Sequence, residues 1–594
     1  MLDTLSKIGK LYIEKENLDE IDVLVDNKNI KSVILIELTK NSNSYGFSKV
    51  FYEDYDTQNN VKYLYKKGSS RGTNITPSSL VTDLHKTYKN KFIKWFKNNK
   101  EKCTLFDLLY DTINENQDEI YSDLKEIYDL IYVKGENILL SIVINDNGEI
   151  SYLNEFDEFK DVLIEGSIDK FKGSEKNKKE SVCYLCNENH EVYGSVSTGV
   201  GFSFSTSEKK GNVPMFDVKN QLKLLPICYD CALNLNAGKK LIEKYLNFSE
   251  FGLSYYVIPN FLFDSQDGFD KLYKQLRIFE SDENLSSEDV GKIEYKLSRI
   301  VKRIDDVAEL KFLFYQSSNN AFDILAYVES VIPSYLNNLY KSQLTISEHD
   351  FFGQENLKLI FGKKHEGNFI QLINKNEKHY PCAYDNWYKR FLRDFINSFS
   401  RKLYIDTVVD IISNNKLDYN FILSMIMNKI RTNWRNNEDY ALKISVLKSL
   451  MLLILLNDLS LIKGEKIMDN EFDEFSVDLI LDSPDKKATF LLGALTRKLM
   501  NIQYKELGST PFYNKLWGLS LDQKKIHKLY PMVINKLQEY GAGYFRDIEE
   551  EISINLAKAE NDWKLNRDNT SYFFVLGFTL PNFDKDKKED DLNE

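Results

Sequence analysis

Four cysteines in two Cys-x-x-Cys pairs, Cys183-Tyr-Leu-Cys186 and Cys228-Tyr-Asp-Cys231, carry the most specific chemistry in this sequence. A Cys-x-x-Cys turn aims two thiolates at one point, and two such turns supply the four soft ligands of a tetrahedral zinc site. A closed tetrathiolate has no open coordination position, so it organises structure and does not activate water. A redox Cys-x-x-Cys is the competing reading. His190, close to the first pair, is either a substitute ligand or a solvated loop histidine. Cys103 and Cys382 read as buried free thiols. Paired cysteines without a basic n-region and apolar stretch at the start point to a reducing cytoplasm.

The elements that must position these thiols follow from pattern. Residues 171–181 form a charged linker, and a zinc module spans 181–250. Between Cys186 and Cys228 lie 41 residues, more than a compact zinc ribbon uses, and the Gly- and β-rich insert from Val192 suggests its own hairpin or extended loop. A helix begins near Leu233. Upstream, residues 1–180 read as a mixed α/β domain. Ser32–Leu38 is β-prone, Val61–Tyr65 alternates like a strand, and Asn147-Gly148 joins two strands in a hairpin. Thr76-Pro77 reads as an N-cap with proline at the first helical position of a helix to about Asn99.

From about residue 250 the chain reads as mainly helical. Apolar spacing suggests helices over 325–340, 387–405, 419–434 and 438–461. After a polar break at 463–474, a C-terminal helical bundle over 468–594 follows, with helices at 488–504, 521–540 and 544–565 and a disordered acidic tail. The fold class expected is thus multidomain α+β: a mixed α/β N-terminal domain with a four-cysteine zinc insertion, a mainly helical domain over 251–462, and a C-terminal helical bundle.

At 594 residues with 42% hydrophobic content, the chain can bury several cores. A net charge of −12 argues against a non-specific DNA coat but permits a local basic groove. The most apolar run, Ser449–Leu456, is too short to span a bilayer, so no membrane partner is expected.

The residues around the thiols look familiar. Leu225-Pro-Ile-Cys-Tyr-Asp-Cys231 followed by Leu235-Asn-Ala-Gly238 resembles the second knuckle of CRISPR-associated large subunits. Tyr255-Tyr-Val-Ile-Pro259, Phe490–Leu495, Gln503, Lys536–Tyr540 and the opening nine residues are also similar. The resemblance is to the large subunit of the type I-B CRISPR interference complex (Cascade) and spans most of the chain, with the N-terminal third departing most. It implies a non-catalytic subunit that helps recognise the protospacer-adjacent motif (PAM), opens the duplex and guides the displaced strand. The implied partners are crRNA, target double-stranded DNA, the backbone, crRNA 5′-end-binding and small subunits, and a helicase-nuclease. In such complexes base pairing reads the long sequence and protein reads the short motif. The alternative is a zinc-containing helical adaptor that binds only proteins.

Several stretches have chemistry suited to nucleic acid. Lys86, Lys89, Lys94 and Lys97 surround Phe92, Trp95 and Phe96, which share one helical face, giving a phosphate-contacting helix docked through its aromatic side or an ordinary surface helix. In the loop before it, Arg71 and Asn74 are candidates to donate to base edges. Arg390, Arg393 and Arg401, then Arg431 and Arg435 beside Trp434, suit single-strand binding or interhelical ion pairing. Arg497 and Lys498 are candidates to track a strand or bind a neighbouring subunit.

Enzyme readings fare poorly. There is no GxxxxGK[ST], HExxH or GxSxG run, and His349-Asp350 lacks spaced companions for a metal-dependent phosphohydrolase. A zinc deaminase needs His-x-Glu where a second Cys-x-x-Cys stands. One further feature concerns expression. AT-rich codons for Lys463-Gly-Glu-Lys-Ile-Met468 read as a purine-rich ribosome-binding site just ahead of an ATG, so Met468 is a candidate internal start for a small helical subunit; a plain surface turn is the rival. Synonymous recoding of residues 463–465 is expected to abolish a short C-terminal product on immunoblots of the native gene. Detection of the full-length chain alone, before recoding, refutes the internal start.

Overall fold

A computed structural model describes the chain except residues 27–28, 69–71, 174–177, 203–210, 212, 263–264, 282–307, 319–320, 375–385, 398, 465–466, 468–479 and 581–594. Arg71, Cys382, Met468 and the acidic tail therefore lie outside the described residues. The chain divides into two compact units, one of Met1–Leu246 with Gln316–Asp323 and one of Asn247–Tyr315 with Ile324–Glu594. The first unit holds both the α/β segment and the cysteine pairs.

The first unit is built on β1 (Ser32–Asn41), whose neighbours are β2 (Ser44–Asp54), antiparallel, and β4 (Ile138–Asp146), parallel. Both faces of β1 are buried. Ile34, Ile36 and Leu38 join the larger core, while Val33 and Leu35 join a smaller one with Tyr63 and Tyr65. Two-sided burial explains the unbroken apolar run. The short β3 (Ser79–Leu80) and β5 (Glu149–Ser151) pair with β4. The β4–β5 turn is the expected one: Asn147 and Gly148 take φ values of 54° and 97°, the left-handed pair a tight hairpin needs.

Two local expectations fail here. Val61–Tyr65 is no strand: a 3-10 turn covers Asn60–Tyr63 and Leu64 is left-handed. Tyr63 and Tyr65 are buried in the smaller core and Leu64 in the larger, so this capping segment fills both cores without pairing into the sheet. Nor does a helix start at Thr76. The Thr76 hydroxyl donates to Leu64 O (2.6 Å) and Ser78 to Tyr63 O (2.6 Å), so both side chains reach back to carbonyls and the chain bends through 75–77 into β3. The helical stretch begins at α3 (Leu84–Thr87), where the Asp83 carboxylate accepts from Lys86 N at 2.9 Å. It continues through a π turn (Tyr88–Ile93) into α4 (Lys94–Asn99). After α5 (Thr104–Glu115) and α6 (Gln117–Ile131), α7 spans Asp157–Lys172.

The expected linker at 171–181 is partly structured, because α7 reaches Lys172 and β6 covers Lys178–Val182. β6 pairs with β7 (Asn189–Tyr193), which pairs with β8 (Ile227–Cys228). Among the described residues, the insert holds a one-turn helix, α8 (Val196–Gly199), and 3-10 turns rather than a hairpin. α9 follows at Tyr229–Tyr245.

α9 packs on α1 (Leu2–Glu16) through two glycines. A Cβ on Gly238 would stand 2.1 Å from Leu5 O, and one on Gly9 1.8 Å from Asn234 O. Both obstacles are backbone, so neither can rotate away. Asn236 Nδ2 donates to Val23 O (2.8 Å), tying α9 also to α2 (Glu20–Leu24).

The second unit departs from the helical expectation at its start. β9 (Asn247–Glu250), β10 (Leu253–Phe261), β11 (Ala308–Ser318) and β12 (Ala321–Val331) form one sheet in the order β12-β11-β10-β9. The expected helix over 325–340 is really β12 followed by a helix at Pro333–Glu348. Proline forces Ile332 out of helical geometry and suits the first helical position. The expected helices at Tyr419–Arg435 and Asp439–Asp458 are present, the latter with Leu450–Leu456 fully buried. The expected helix over 387–405 is split into Trp387–Leu392, a π turn and Arg401–Ile412.

Pro484–Leu507, Gln523–Glu539 and Arg546–Ala559 match the three terminal helices expected. A further helix, Arg567–Thr579, was not anticipated, although Asn566 is a good cap, its side chain accepting from Asp568 N and Asn569 N. It crosses Pro484–Leu507 at a second glycine pair. A Cβ at Gly493 would lie 2.0 Å from Phe574 O, and one at Gly577 1.9 Å from Phe490 O. It also meets Tyr419–Arg435, through Tyr419 OH to Asn569 Oδ1 (3.0 Å) and Trp434 against Phe578. No helix of the described residues is long and apolar enough to cross a membrane.

Gly238→Val is expected to destabilise the protein by about 2–3 kcal/mol through overpacking, seen as an earlier urea midpoint. Gly543→Ala, where a Cβ meets open space, should leave the midpoint near wild type. Equal midpoints for the two variants would contradict the close crossing.

Candidate metal centre and basic surface

The β6–β8 sheet and the start of α9 bring all four cysteines together. After β6, Cys183 opens a tight knuckle closed by Cys183 N to Glu188 O (2.9 Å) and Asn187 N to Cys183 O (3.0 Å), with Asn187 left-handed at φ 59°. Tyr184 N donates to Pro226 O (2.8 Å), fastening this knuckle to the strand that carries Cys228. Cys228 ends β8 and caps α9, and Cys231 lies in the first helical turn. A helix N-terminus favours negative charge, so this placement suits thiolates.

The four sulfurs lie within 4.8 Å of one another, and Cys186 and Cys228 Sγ are 3.9 Å apart. A tetrahedron with metal–sulfur bonds of about 2.3 Å has edges of about 3.8 Å. The donor set therefore fits one tetrahedral soft-metal ion. Cys183, Cys228 and Cys231 are buried. Backbone N–H groups of Leu185 and Cys228 point at Cys183 Sγ, each at 3.4 Å. Burial opposes ionisation of Cys183, but backbone donors from Cys186, Cys228 and Leu185 outweigh it and bring the thiol down to about 7. Burial pushes Cys228 up to about 11 and Cys231 higher still. His190 Nε2 lies 3.1 Å from Glu188, and the pair forms a second small group with Cys186. With four sulfurs already converging, His190 is not needed as a ligand.

The basic candidates separate into exposed and engaged groups. Along Leu84–Lys100 no acidic residue occurs. Tyr88, Phe92, Trp95 and Phe96 are buried, and Lys86, Lys89, Lys94 and Lys97 are exposed on the opposite side. Lys86 has a neighbour in Asp83 at 3.8 Å. The expectation for Asn74 needs correction: it is buried, and its amide donates to Ser78 O and Ser79 Oγ, both at 2.9 Å, so it stabilises the loop and is not turned outward to a base.

The central arginines are mostly interior struts. Arg390 is buried, on a helix whose residues Trp387–Leu392 are all buried. Its neighbour Lys389 forms a buried ion pair with Glu250 beside Tyr255 OH. Arg393 stacks over Phe251 (5.7 Å). Arg431 bonds Asp568 (2.6 Å) and Leu519 O (3.0 Å). Arg497 grips Asp439 with two bonds, at 2.6 and 3.1 Å. Burial works against Asp439 ionising, but Arg497 and Lys443 together hold its carboxyl below the usual range. Lys498 lies over Phe545. Arg401 and Arg435 remain exposed, with Arg401 near Gly252 O and Arg435 bonded to Arg431 O. For Arg390, Arg431 and Arg497, burial or ion pairing thus replaces the strand-binding expectation.

Sequence reading missed one cluster. Asp26, Lys66, Lys170 and Lys240 come from four distant segments, and no local motif links them.

Metal uptake by the thiol cluster at pH 7 should release at least the protons of Cys228 and Cys231. Apparent affinity is then expected to rise on the order of a hundredfold per pH unit near neutrality. Competition with a chromophoric chelator from pH 6.5 to 7.5 measures this. A pH-independent affinity would contradict a tetrathiolate site.

Comparison with known proteins places this geometry in context. Three family models match in succession: the CRISPR-associated protein TM1802 N-terminal domain over residues 1–165, its central domain over 180–331, and its C-terminal domain over 388–591. The central match begins at the first knuckle and includes both cysteine pairs. A search of curated proteins finds no match. With its N-terminal, central and C-terminal domains all present in order, the chain belongs to the CRISPR-associated TM1802 family.

Proposed function

We propose that this protein is the non-catalytic large subunit of a crRNA-guided type I-B surveillance complex. In this reading it recognises PAM-proximal DNA, helps open the duplex and prepares recruitment of a helicase-nuclease. The observation that carries the reading is the complete set of CRISPR-associated domains in one chain, with a metal-type thiol cluster buried at the junction of β8 and α9. The metal that suits four thiolates in a closed tetrahedron is zinc, held by Cys183, Cys186, Cys228 and Cys231. It would fix the two knuckles against α9 and supply no reactive water.

The DNA contact in this reading is the lysine face of α3, the π turn and α4. Its buried aromatics fix the helix to the sheet, and its exposed ammoniums offer positive charge to a phosphate backbone. Arg401 and Arg435 are secondary contacts. At His349-Asp350, His349 Nδ1 accepts from Phe351 N (3.1 Å), a capping contact.

A small subunit starting at Met468 faces a structural condition. It would carry helix Arg567–Thr579 but leave behind Tyr419–Arg435 and Asp439–Asp458, which cover Phe578 and Tyr572. Such a product must find another surface for that face.

In the crRNA-loaded complex, replacing Lys86, Lys89, Lys94 and Lys97 with Gln is expected to weaken guide-matched duplex binding and flatten the salt dependence by about 0.9 per lost phosphate contact. Anisotropy titrations at several salt concentrations check this. An unchanged slope would reject this surface, and a wild-type complex whose affinity ignores the sequence flanking the target would favour the protein-only adaptor.

A further inference from the structure

Three lysines from separate elements converge in the first unit. Lys66 follows the capping segment, Lys170 lies in the last turn of α7, and Lys240 projects from α9. Lys66 Nζ reaches Asp26 Oδ1 at 2.7 Å, and the other Asp26 oxygen accepts from Lys67 N at 3.0 Å. Lys170 donates to Lys67 O, and Lys240 donates to Asp22 O (3.1 Å) and to Val25 O. An ammonium carries three N–H donors, so each of these lysines keeps at least one after those bonds.

The cluster has one bonded carboxylate for its three ammoniums. Asp26 is the carboxylate bonded within it. Asp22 turns its side chain to the start of α2, where it accepts from Asp19 N. Glu243 pairs with Lys239, and the Asp22 and Glu243 carboxylates act on Lys240 through space without bonding it. Desolvation, reinforced by Lys66, lowers Lys170 to about 8 and Lys240 to about 7. Asp26 is held down to about 2: burial opposes this, but Lys66 prevails. Excess ammoniums packed this closely call for an anion with several acceptor oxygens. Lys66 is buried, while Asp26, Lys170 and Lys240 each keep a partly exposed edge through which the cluster opens to solvent.

The cluster is also wired to the basic helix. Ile75 N donates to Lys66 O (3.1 Å), and Ile75 O accepts from Trp95 Nε1 (2.7 Å) on α4. Gly166 on α7 makes room for Ile75, whose Cγ2 would lie 2.5 Å from a Cβ there.

We propose that Lys66, Lys170 and Lys240 form a receptor for one phosphate group of a nucleic-acid backbone, an anchor separate from the exposed lysines of α3 and α4. The proposal rests on the nucleic-acid-binding reading above. Filling the site returns the neutralising charge that the cluster lacks.

Competitive trace acetylation of the wild-type, crRNA-loaded complex, read lysine by lysine by mass spectrometry across pH, tests this without a variant that might misfold. Three samples are compared: no ligand, guide-matched duplex, and millimolar inorganic phosphate. Bound duplex is expected to slow labelling of Lys170 and Lys240 at least tenfold at pH 8 and to move their titration midpoints upward, with inorganic phosphate giving a smaller change. Phosphate acting as strongly as duplex would overturn the backbone assignment in favour of a free-phosphate site. Labelling of Lys170 and Lys240 unchanged by duplex, while Lys89 and Lys94 are protected, would overturn the anchor and leave the nucleic-acid reading standing. Absence of duplex binding altogether would overturn both.

Discussion

The first unit depends on how closely α1 can approach α9. Two glycines let the helix backbones meet where any side chain would strike a carbonyl oxygen or amide nitrogen. α9 is also the helix whose first turn presents Cys228 and Cys231. One rigid rod therefore links the N-terminal helix, α2 through Asn236, and the thiol cluster. A metal held by the thiol cluster at one end of α9 would restrain the same helix that carries Lys240 further along. The knuckles act as a clamp on an element whose other faces are already committed.

A second glycine crossing, at Gly493 and Gly577, serves the C-terminal helices in the same way. There, ion pairs are the fastening: Arg431 to Asp568 and Arg497 to Asp439. Such partly buried, geometrically fixed arginine pairs give a helix assembly directional contacts where apolar packing alone is non-directional. They also remove those arginines from the surface. A chain with a net charge of −12 is then left with its clearest acid-free basic run on the stretch from α3 to α4.

Much of this was legible because it is local. The two Cys-x-x-Cys turns, the Asn147-Gly148 hairpin, the β-prone run that forms β1 and the aromatic face of α4 each follow from neighbours within a few residues. What failed was decided at long range. Thr76 and Pro77 form a sound helix start on paper, yet Thr76 and Ser78 bond carbonyls more than ten residues back. β12 has heptad-like apolar spacing but finds a strand partner in β11. Arginine-rich segments cannot reveal their own acids when Asp568 lies 137 residues from Arg431. The lysine cluster around Asp26 was invisible for the same reason.

The account stands or falls on the four sulfurs sharing one ion. X-ray absorption spectroscopy at the zinc edge on purified full-length protein reads that shell directly. The structure predicts one zinc per chain with four sulfur neighbours at about 2.3 Å and no lighter ligand. A shell with nitrogen or oxygen neighbours, or protein that carries no transition metal when purified without chelators, would contradict it.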